Sequence, residues 1–415
     1  MNTRSVRGLA ATLVLPSMAL AQGAAFQTPG MPSLGVRADS GSDSGQASRF
    51  SNEFNPALSF IVDSVLRYDD SPASDDGFDA ALRTLEFAGN AWVDPKAWAY
   101  FVGAVEDEAL NVEEAAVHFT GLGGNNVIRA GRFFVDFGKQ MQTHVHELRT
   151  LERPLVLREY LGDEVKGEGL EWDSWTGVGE GTAVRWSIAA LANTLPEEEE
   201  DFDPATEAAA EIDSSKELED FNFTARVTAF TDLSDASVLQ LGTSLRSIPR
   251  YSVVYDDGAG NTAQADSLSS NVLGLDLTYG WTGETGERKF TLGGEYLLSM
   301  GDNGFEVDPD PDNNPGTADA ALSILDEQVG GFFVWADYAW DRFNSAGAQY
   351  SLVERADAIQ SEAYEVELYF TRMFSEFHRL RLVLAHSDGE GDDPLATLAL
   401  QYTAIVGAHG HGVNW

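Results

Sequence analysis

The stretch Leu273-Gly-Leu-Asp-Leu-Thr-Tyr-Gly-Trp281 alternates between large apolar residues and small or polar ones. Successive side chains of a β-strand point to opposite faces, so a period of two collects the large apolar residues on one face. Gly274, Asp276 and Thr278 fall on the other face. The stretch therefore predicts a strand with one apolar face and one polar face.

The same alternation recurs along the chain from about residue 56 onward, in segments of about ten residues, the length of a membrane-spanning strand. Tyr364 to Thr371 and Leu380 to Leu384 are clear examples. About sixteen segments show the pattern, at 56–68, 80–93, 97–107, 112–121, 126–134, 167–176, 183–194, 221–232, 237–249, 267–281, 287–300, 327–340, 343–355, 362–374, 378–388 and 394–406. The chain is therefore predicted to be all-β.

Short and long connections alternate between these segments. Asp341-Arg342 and Ser375-Glu376 are short turns, whereas 195–220, 251–266 and 302–326 are predicted to be long polar loops. Aromatic residues lie near the segment ends, as interfacial girdles require. These features predict a transmembrane antiparallel β-barrel of about sixteen strands. A large secreted β-sandwich or β-helix remains an alternative, because its strands would alternate as well.

The composition excludes several classes of protein. The chain has 26 Lys and Arg against 67 Asp and Glu, which gives a formal net charge of −41, and it has no Cys. A nucleic-acid binder is not expected, because neutralising phosphates needs clustered positive charge. Thiolate metal sites and disulfides are impossible without Cys. Beyond the N-terminus, no apolar run reaches the roughly 18 residues that a spanning helix needs.

The N-terminus has the pattern of an export signal. Arg4 and Arg7 precede the apolar run Leu9 to Leu15, and Ala19-Leu-Ala21 is a small-x-small cleavage site. We therefore predict a signal peptide at 1–21, a disordered lead-in rich in Gly, Ser and Pro at 22–52, and a barrel at 53–415. The predicted location is the outer membrane of a Gram-negative type of cell.

Several stretches resemble porin-like outer-membrane proteins of the phosphate-selective and carbohydrate porin superfamily, in particular the group labelled zinc-regulated outer-membrane proteins. They are Asn55 to Asp63, Val112 to Val117, Ile128-Arg-Ala-Gly-Arg-Phe-Phe-Val-Asp-Phe-Gly-Lys-Gln140, Thr143-His-Val-His-Glu147, Leu151 to Val156, Tyr160 to Glu164 and Tyr402 to His411. The resemblance implies a channel of sixteen or eighteen strands, often trimeric, with an inward-folded loop that narrows the pore. Phosphate-selective members carry a ladder of Lys and Arg in the lumen, whereas this chain has only five Lys.

Residues 135–166 form the long connection with mixed charge, and they are our candidate constriction. A loop in a polar lumen selects permeants through charges of both signs. The candidate pore-lining residues are Asp136, Lys139, Glu147, Arg149, Glu152, Arg153 and Arg158. An ion-pair network that only holds the loop against the wall is an equally good interpretation.

His144 and His146 are the candidate metal ligands. In extended backbone the two imidazoles project to one side, and such a pair suits Zn²⁺. His409 and His411 form a second pair near the C-terminus. The acidic run Asp308 to Asn314 offers the oxygen ligands that Ca²⁺ prefers, although a solvated loop explains it as well. No cofactor is required by these patterns.

The predicted function is passive diffusion of small hydrophilic solutes or ions. Acidic loops concentrate cations near the mouth, so we predict a weak cation preference or none. An anion-selective or phosphate-selective porin is the alternative, with Arg149, Arg153 and Arg158 as its filter. The sequence shows no catalytic motif, so no enzyme is predicted. The expected partners are outer-membrane lipid, lipopolysaccharide, the solutes and further copies in a homotrimer.

Overall fold

The computed structural model describes most of the predicted barrel. The described residues are 57–70, 77–106, 109–192, 209–211, 217–256, 261–308, 320–357, 360–375, 377–390 and 394–407. The predicted signal peptide, the predicted lead-in and the pair His409 and His411 lie outside the described residues.

Seventeen strands and one short α-helix are found within the described ranges. The strands are β1 (Ala57–Asp70), β2 (Gly77–Asp94), β3 (Ala97–Glu106), β4 (Ala109–Phe119), β5 (Asn126–Phe134), β6 (Lys166–Gly177), β7 (Thr182–Leu191), β8 (Ala209–Glu211), β9 (Asn222–Ser234), β10 (Ser237–Asp256), β11 (Thr262–Thr282), β12 (Lys289–Asp308), β13 (Ala321–Asp341), β14 (Asn344–Glu354), β15 (Glu362–Ser375), β16 (His378–Gly389) and β17 (Leu395–Gly407). The helix α1 is Leu155–Leu161. In the described part of the chain, no helix is long and apolar enough to cross a membrane.

Sixteen of these strands close into an antiparallel barrel. Each long strand pairs with its neighbours in the chain, and β1 pairs with β17 from Ser59 opposite Gly407 to Asp70 opposite Ala396. β7 pairs directly with β9, while the three-residue β8 only extends the edge of β10. The prediction of a sixteen-stranded barrel is confirmed. Closure leaves no unpaired sheet edge, which is the condition for a sheet to cross lipid.

One face of the barrel wall is apolar and the other is polar, as the stretch Leu273 to Trp281 predicts. The apolar face is the outer one. In β11, Leu275 is 59% exposed on the outside, whereas its neighbour Asp276 is 6% exposed on the inside. β15 repeats the arrangement, with Leu368 outside and Glu365 and Glu367 inside. The wall is therefore apolar towards its surroundings and charged towards its interior.

The prediction of long loops at 251–266 and 302–326 is wrong over much of their length. β10 continues to Asp256, β11 begins at Thr262, β12 continues to Asp308 and β13 begins at Ala321. Irregular pairings after Ile248 and after Asp302 shift the alternation, and this hid the pattern in the sequence. The extensions share a small apolar cluster that includes Tyr251, Val253 and Leu268. Packing in this cluster explains why such polar stretches remain paired.

Candidate constriction of the barrel

The connection between β5 and β6 folds into the lumen; we call residues 135–165 the inward loop. Near its start, the backbone N–H of Gly138 donates to Ser244 Oγ of β10 at 3.1 Å. Near its end, the backbone N–H of Val156 donates to Ser351 Oγ of β14 at 3.1 Å. β10 and β14 are four strands apart in the barrel wall, so the inward loop crosses the interior as predicted.

An apolar core anchors the inward loop, and the sequence analysis missed it. Phe137, Met141 and Val156 of the loop are fully buried with Phe333 and Trp335 of β13. Burying such side chains contributes about 1.5–3 kcal/mol each. The apolar residues were visible in the sequence, but their spacing fits neither a strand nor a long helix. The loop is therefore a packed part of the fold.

A charged belt of five residues ties the start of the loop to the wall: Asp136, Asp173, Arg185, Arg226 and Asp276. Asp136 Oδ2 lies 2.6 Å from Arg185 Nη1, and its Oδ1 lies 3.6 Å from Arg226 Nε. Arg226 also pairs with Asp276 at 2.8 Å, and Arg185 pairs with Asp173. Burial opposes the charge of Asp136, but Arg185 and Arg226 hold its pKa below the usual range.

Two further predicted pore residues are also held in ion pairs. Arg153 is fully buried, and its Nη2 lies 3.2 Å from Glu164 Oε1. Arg158 Nη2 lies 2.5 Å from Glu365 Oε2 on β15. Both ion pairs fix the loop to its surroundings, but only the guanidinium of Arg153 is buried, because the side chain of Arg158 is 31% exposed.

The predicted metal ligands His144 and His146 face carboxylates of the wall. His144 Nε2 lies 3.2 Å from Glu114 Oε1, and His146 Nδ1 lies 3.2 Å from Glu86 Oε2. Burial opposes protonation of His144, but Glu86 and Glu114 raise its pKa to about 10. A protonated imidazole does not ligate a metal. Within the described ranges, no group of three or more His, Asp or Glu is arranged to hold a metal ion.

Residues 144–151 run along the wall in a nearly alternating pattern. His144, His146, Leu148 and Thr150 are buried, whereas Glu147 and Arg149 are partly exposed. Two arginines of β16 hold the buried side. Arg379 donates to the carbonyl oxygen of His146, and Arg381 donates to that of Leu148. The alternation leaves Arg149 partly exposed in the interior, whereas Glu147 lies beside Met373, Arg379 and Thr403 of the wall.

The structure thus divides the seven predicted pore residues into two groups. Asp136, Glu152, Arg153 and Arg158 each form an ion pair, that of Glu152 being with Arg83 at 3.0 Å. Lys139, Glu147 and Arg149 are partly exposed in the interior, as the ion-paired Glu152 and Arg158 also are. The sequence analysis did not identify their surroundings, which include Gln240, Trp335 and Glu295 of the wall. Strand alternation places these wall residues inward, but their contacts depend on the folded loop.

Gly138 is where the inward loop depends most on glycine. Its φ is +55°, and an added Cβ would lie 1.9 Å from Glu295 Oε2. The same carboxylate accepts the backbone N–H of Lys139 at 2.7 Å. Gly138→Ala is therefore expected to displace Glu295 and weaken docking of the loop. The free energy of unfolding in urea should fall by more than the roughly 1 kcal/mol that the left-handed backbone alone would cost.

Gly124→Ala is the matched control for this substitution. Gly124 has a similar φ of +63°, but the nearest atom to an added Cβ is Asn126 Nδ2 at 3.4 Å. Its cost should be that of the backbone alone. Equal losses of stability in Gly138→Ala and Gly124→Ala would show that contact with Glu295 does not hold the loop.

Comparisons with known proteins find similarity in structure and none in sequence. No protein-family model matches the chain, and no curated protein has a similar sequence. The anion-selective porin from Comamonas acidovorans matches with a TM-score of 0.53 and 14% identity, over 85% of this chain and 100% of that chain. The fold is that of the outer-membrane porins.

Two further solved structures agree with this result. The outer-membrane channel DcaP of Acinetobacter baumannii has a TM-score of 0.54 and 10% identity, over 86% of this chain and 99% of that chain. The trimer form of OmpT, an outer-membrane protein of Vibrio cholerae, has a TM-score of 0.53 and 9% identity, over 85% and 99%. At these identities the likeness concerns the fold alone. It extends to outer-membrane porins in general and does not single out the zinc-regulated group.

Proposed function

We propose that this chain is an outer-membrane channel through which small hydrophilic solutes or ions diffuse passively. The observation that carries the proposal is the polarity of the wall. A soluble β-protein buries residues such as Leu275 and exposes residues such as Asp276, whereas here Leu275 is outside and Asp276 inside. That arrangement suits a barrel with lipid outside and water inside. It also disfavours the secreted β-rich protein or adhesin.

The proposed channel has little charge selectivity or a weak cation preference. The net charge of −41 supports accumulation of cations near the mouth at low salt. The arginines that point inward from the wall do not support a ladder of phosphate-binding side chains, because they already bind other groups of the protein. Arg129 and Arg226 pair with carboxylates, and Arg379 and Arg381 donate to carbonyl oxygens of the loop. We propose no enzymatic activity, in keeping with the porins and channels that share the fold.

The proposed partners follow from the location of the barrel in the outer membrane. Lipid and lipopolysaccharide would contact the apolar outer face. A homotrimer is supported by the trimer form of the Vibrio cholerae protein that shares the fold. Cross-linking in native membranes would detect the trimer.

Metal binding is a secondary proposal. It is supported by the adjacent imidazoles of His144 and His146, whose ring centroids lie 5.7 Å apart. Zn²⁺ should then reduce the current, and the double variant His144→Ala, His146→Ala should abolish the reduction. A calcium site at Asp308 to Asn314 also remains a proposal, because residues 309–314 lie outside the described ranges.

Fractionation and electrical recording test the proposed function together. The protein should be extracted from the outer membrane only by detergent, and its band should shift on heating in a denaturing gel. Purified protein should produce discrete current steps in a planar lipid bilayer. A soluble product, or a folded membrane barrel that carries no current, would contradict the proposal.

A further inference from the structure

The inference concerns the positive charges that a solute can reach in the lumen, and it rests on the proposed function. Most interior cations are occupied. Arg129 pairs with Glu171 at 2.9 Å, and Arg153 and Arg158 pair with Glu164 and Glu365. Two cations of the inward loop differ from them. Within the described part of the chain, neither Lys139 nor Arg149 forms an ion pair with a carboxylate.

Arg149 is held by an aromatic ring instead. Its guanidinium carbon lies 4.3 Å from the ring centroid of Trp335. Trp335 is buried and points inward from β13, so its ring fixes the guanidinium in the lumen. Asp337, two residues further along β13, is a carboxylate whose charge interacts with Arg149 without forming an ion pair. Arg149 is partly exposed, and its N–H donors can therefore reach a solute.

Lys139 is held by neutral contacts. Its Nζ lies 3.3 Å from Gln240 Oε1, and its backbone N–H is fixed by Glu295 at 2.7 Å. An amide oxygen uses one of the three protons of the ammonium group, so the others remain available. Burial and then the charge of Arg149 lower the pKa of Lys139 to about 8.

We propose that Lys139 and Arg149 together form a site in the lumen that binds permeating anions. The anions are small inorganic anions and small carboxylates. The two cations lie on one loop, and both are partly exposed towards the interior. Their local positive potential opposes the cation-attracting potential of the acidic chain. The weak selectivity of the whole channel then results from two opposing contributions. The contribution of exposed acidic residues is screened at high salt, whereas a contact site in the lumen is screened much less.

The test is the double variant Lys139→Gln, Arg149→Gln, recorded as single channels in a potassium chloride gradient. The ratio of potassium to chloride permeability should rise several-fold, and the rise should persist at high salt. The matched control is Lys96→Gln, Arg288→Gln, which makes the same change of charge at exposed short turns. The control should leave the ratio close to that of the unmodified protein. Heat-shifted gel bands should first show that both variants fold.

The possible results distinguish a failure of the proposed channel function from a failure of the proposed anion-binding site. If the unmodified protein carries no current, the proposed function fails. If it conducts and the lumen variant has the same permeability ratio as the control, the proposal of an anion-binding site at Lys139 and Arg149 is wrong. A ratio that rises in the lumen variant alone supports it.

The pH dependence gives a second readout. Raising the pH through about 8 should discharge Lys139 and increase the cation preference, because deprotonation removes one of the two positive charges. The charged groups around Lys139 are Arg149, Arg226, Asp276 and Glu295. In Lys139→Gln the transition near pH 8 should be absent. A transition that survives this substitution would assign the effect to another group and overturn the role of Lys139.

Discussion

Replacing Arg226 with alanine is expected to destabilise the folded barrel by about 3–5 kcal/mol, the usual cost of breaking a buried ion pair by removing one partner. Arg226 lies between Asp136 of the inward loop and Asp276 of β11. Asp276 is also the cross-strand neighbour of Glu295 on β12. Without the guanidinium, these buried carboxylates would repel each other. The free energy of unfolding in urea, measured in lipid vesicles, should show the loss.

Arg132→Ala is the matched control. Arg132 also pairs with a carboxylate on the neighbouring strand, Glu168 at 2.7 Å, but the two side chains are 27% and 58% exposed. An exposed pair contributes at most about 1 kcal/mol, so this variant should remain close to the unmodified protein. If both variants lose the same stability, the charged belt does not hold the loop to the wall.

Replacing residues 140–149 with a short glycine-serine linker is expected to raise single-channel conductance several-fold. The replaced segment contains Met141 of the apolar core and the backbone carbonyls that Arg379 and Arg381 bind. Its removal widens the part of the lumen that the inward loop crosses. Recording in planar bilayers at one salt concentration measures the change directly.

A variant of unchanged length separates obstruction from side-chain chemistry. Replacing the same ten residues with ten glycines and serines removes the anchoring contacts but keeps the backbone. Its current should be noisier than that of the shortened variant, because the unanchored segment would move within the lumen. Conductance that remains unchanged in the shortened variant would remove the loop from the permeation path.

The barrel itself was predictable because its signal is local. The alternation of Leu275 with Asp276, or of Leu368 with Glu367, needs only the period of a strand and the requirement that one face meet lipid. Sixteen such segments and a closed sheet follow without knowledge of any long-range contact. The strand extensions past Ile248 and Asp302 were missed, because irregular pairings interrupt the local period.

The roles within the inward loop were not predictable from local pattern. In the sequence, Arg149, Arg153 and Arg158 are equivalent candidates for a filter. Their partners are far away in the chain: Trp335 for Arg149 and Glu365 for Arg158. Only the fold decides which arginine meets a carboxylate and which meets a ring. The same holds for His144, whose partners Glu86 and Glu114 belong to other strands.

Modification of single cysteines tests the central claim most directly, since the chain has no cysteine of its own. Arg149→Cys would place a thiol on the side of the loop that faces the open lumen, and Thr150→Cys would place one on the buried side. A bulky methanethiosulfonate reagent, added during single-channel recording, should reduce the current through Arg149→Cys and leave Thr150→Cys unchanged. A current through Arg149→Cys that persists after complete modification would contradict a channel that passes solutes along the inward loop.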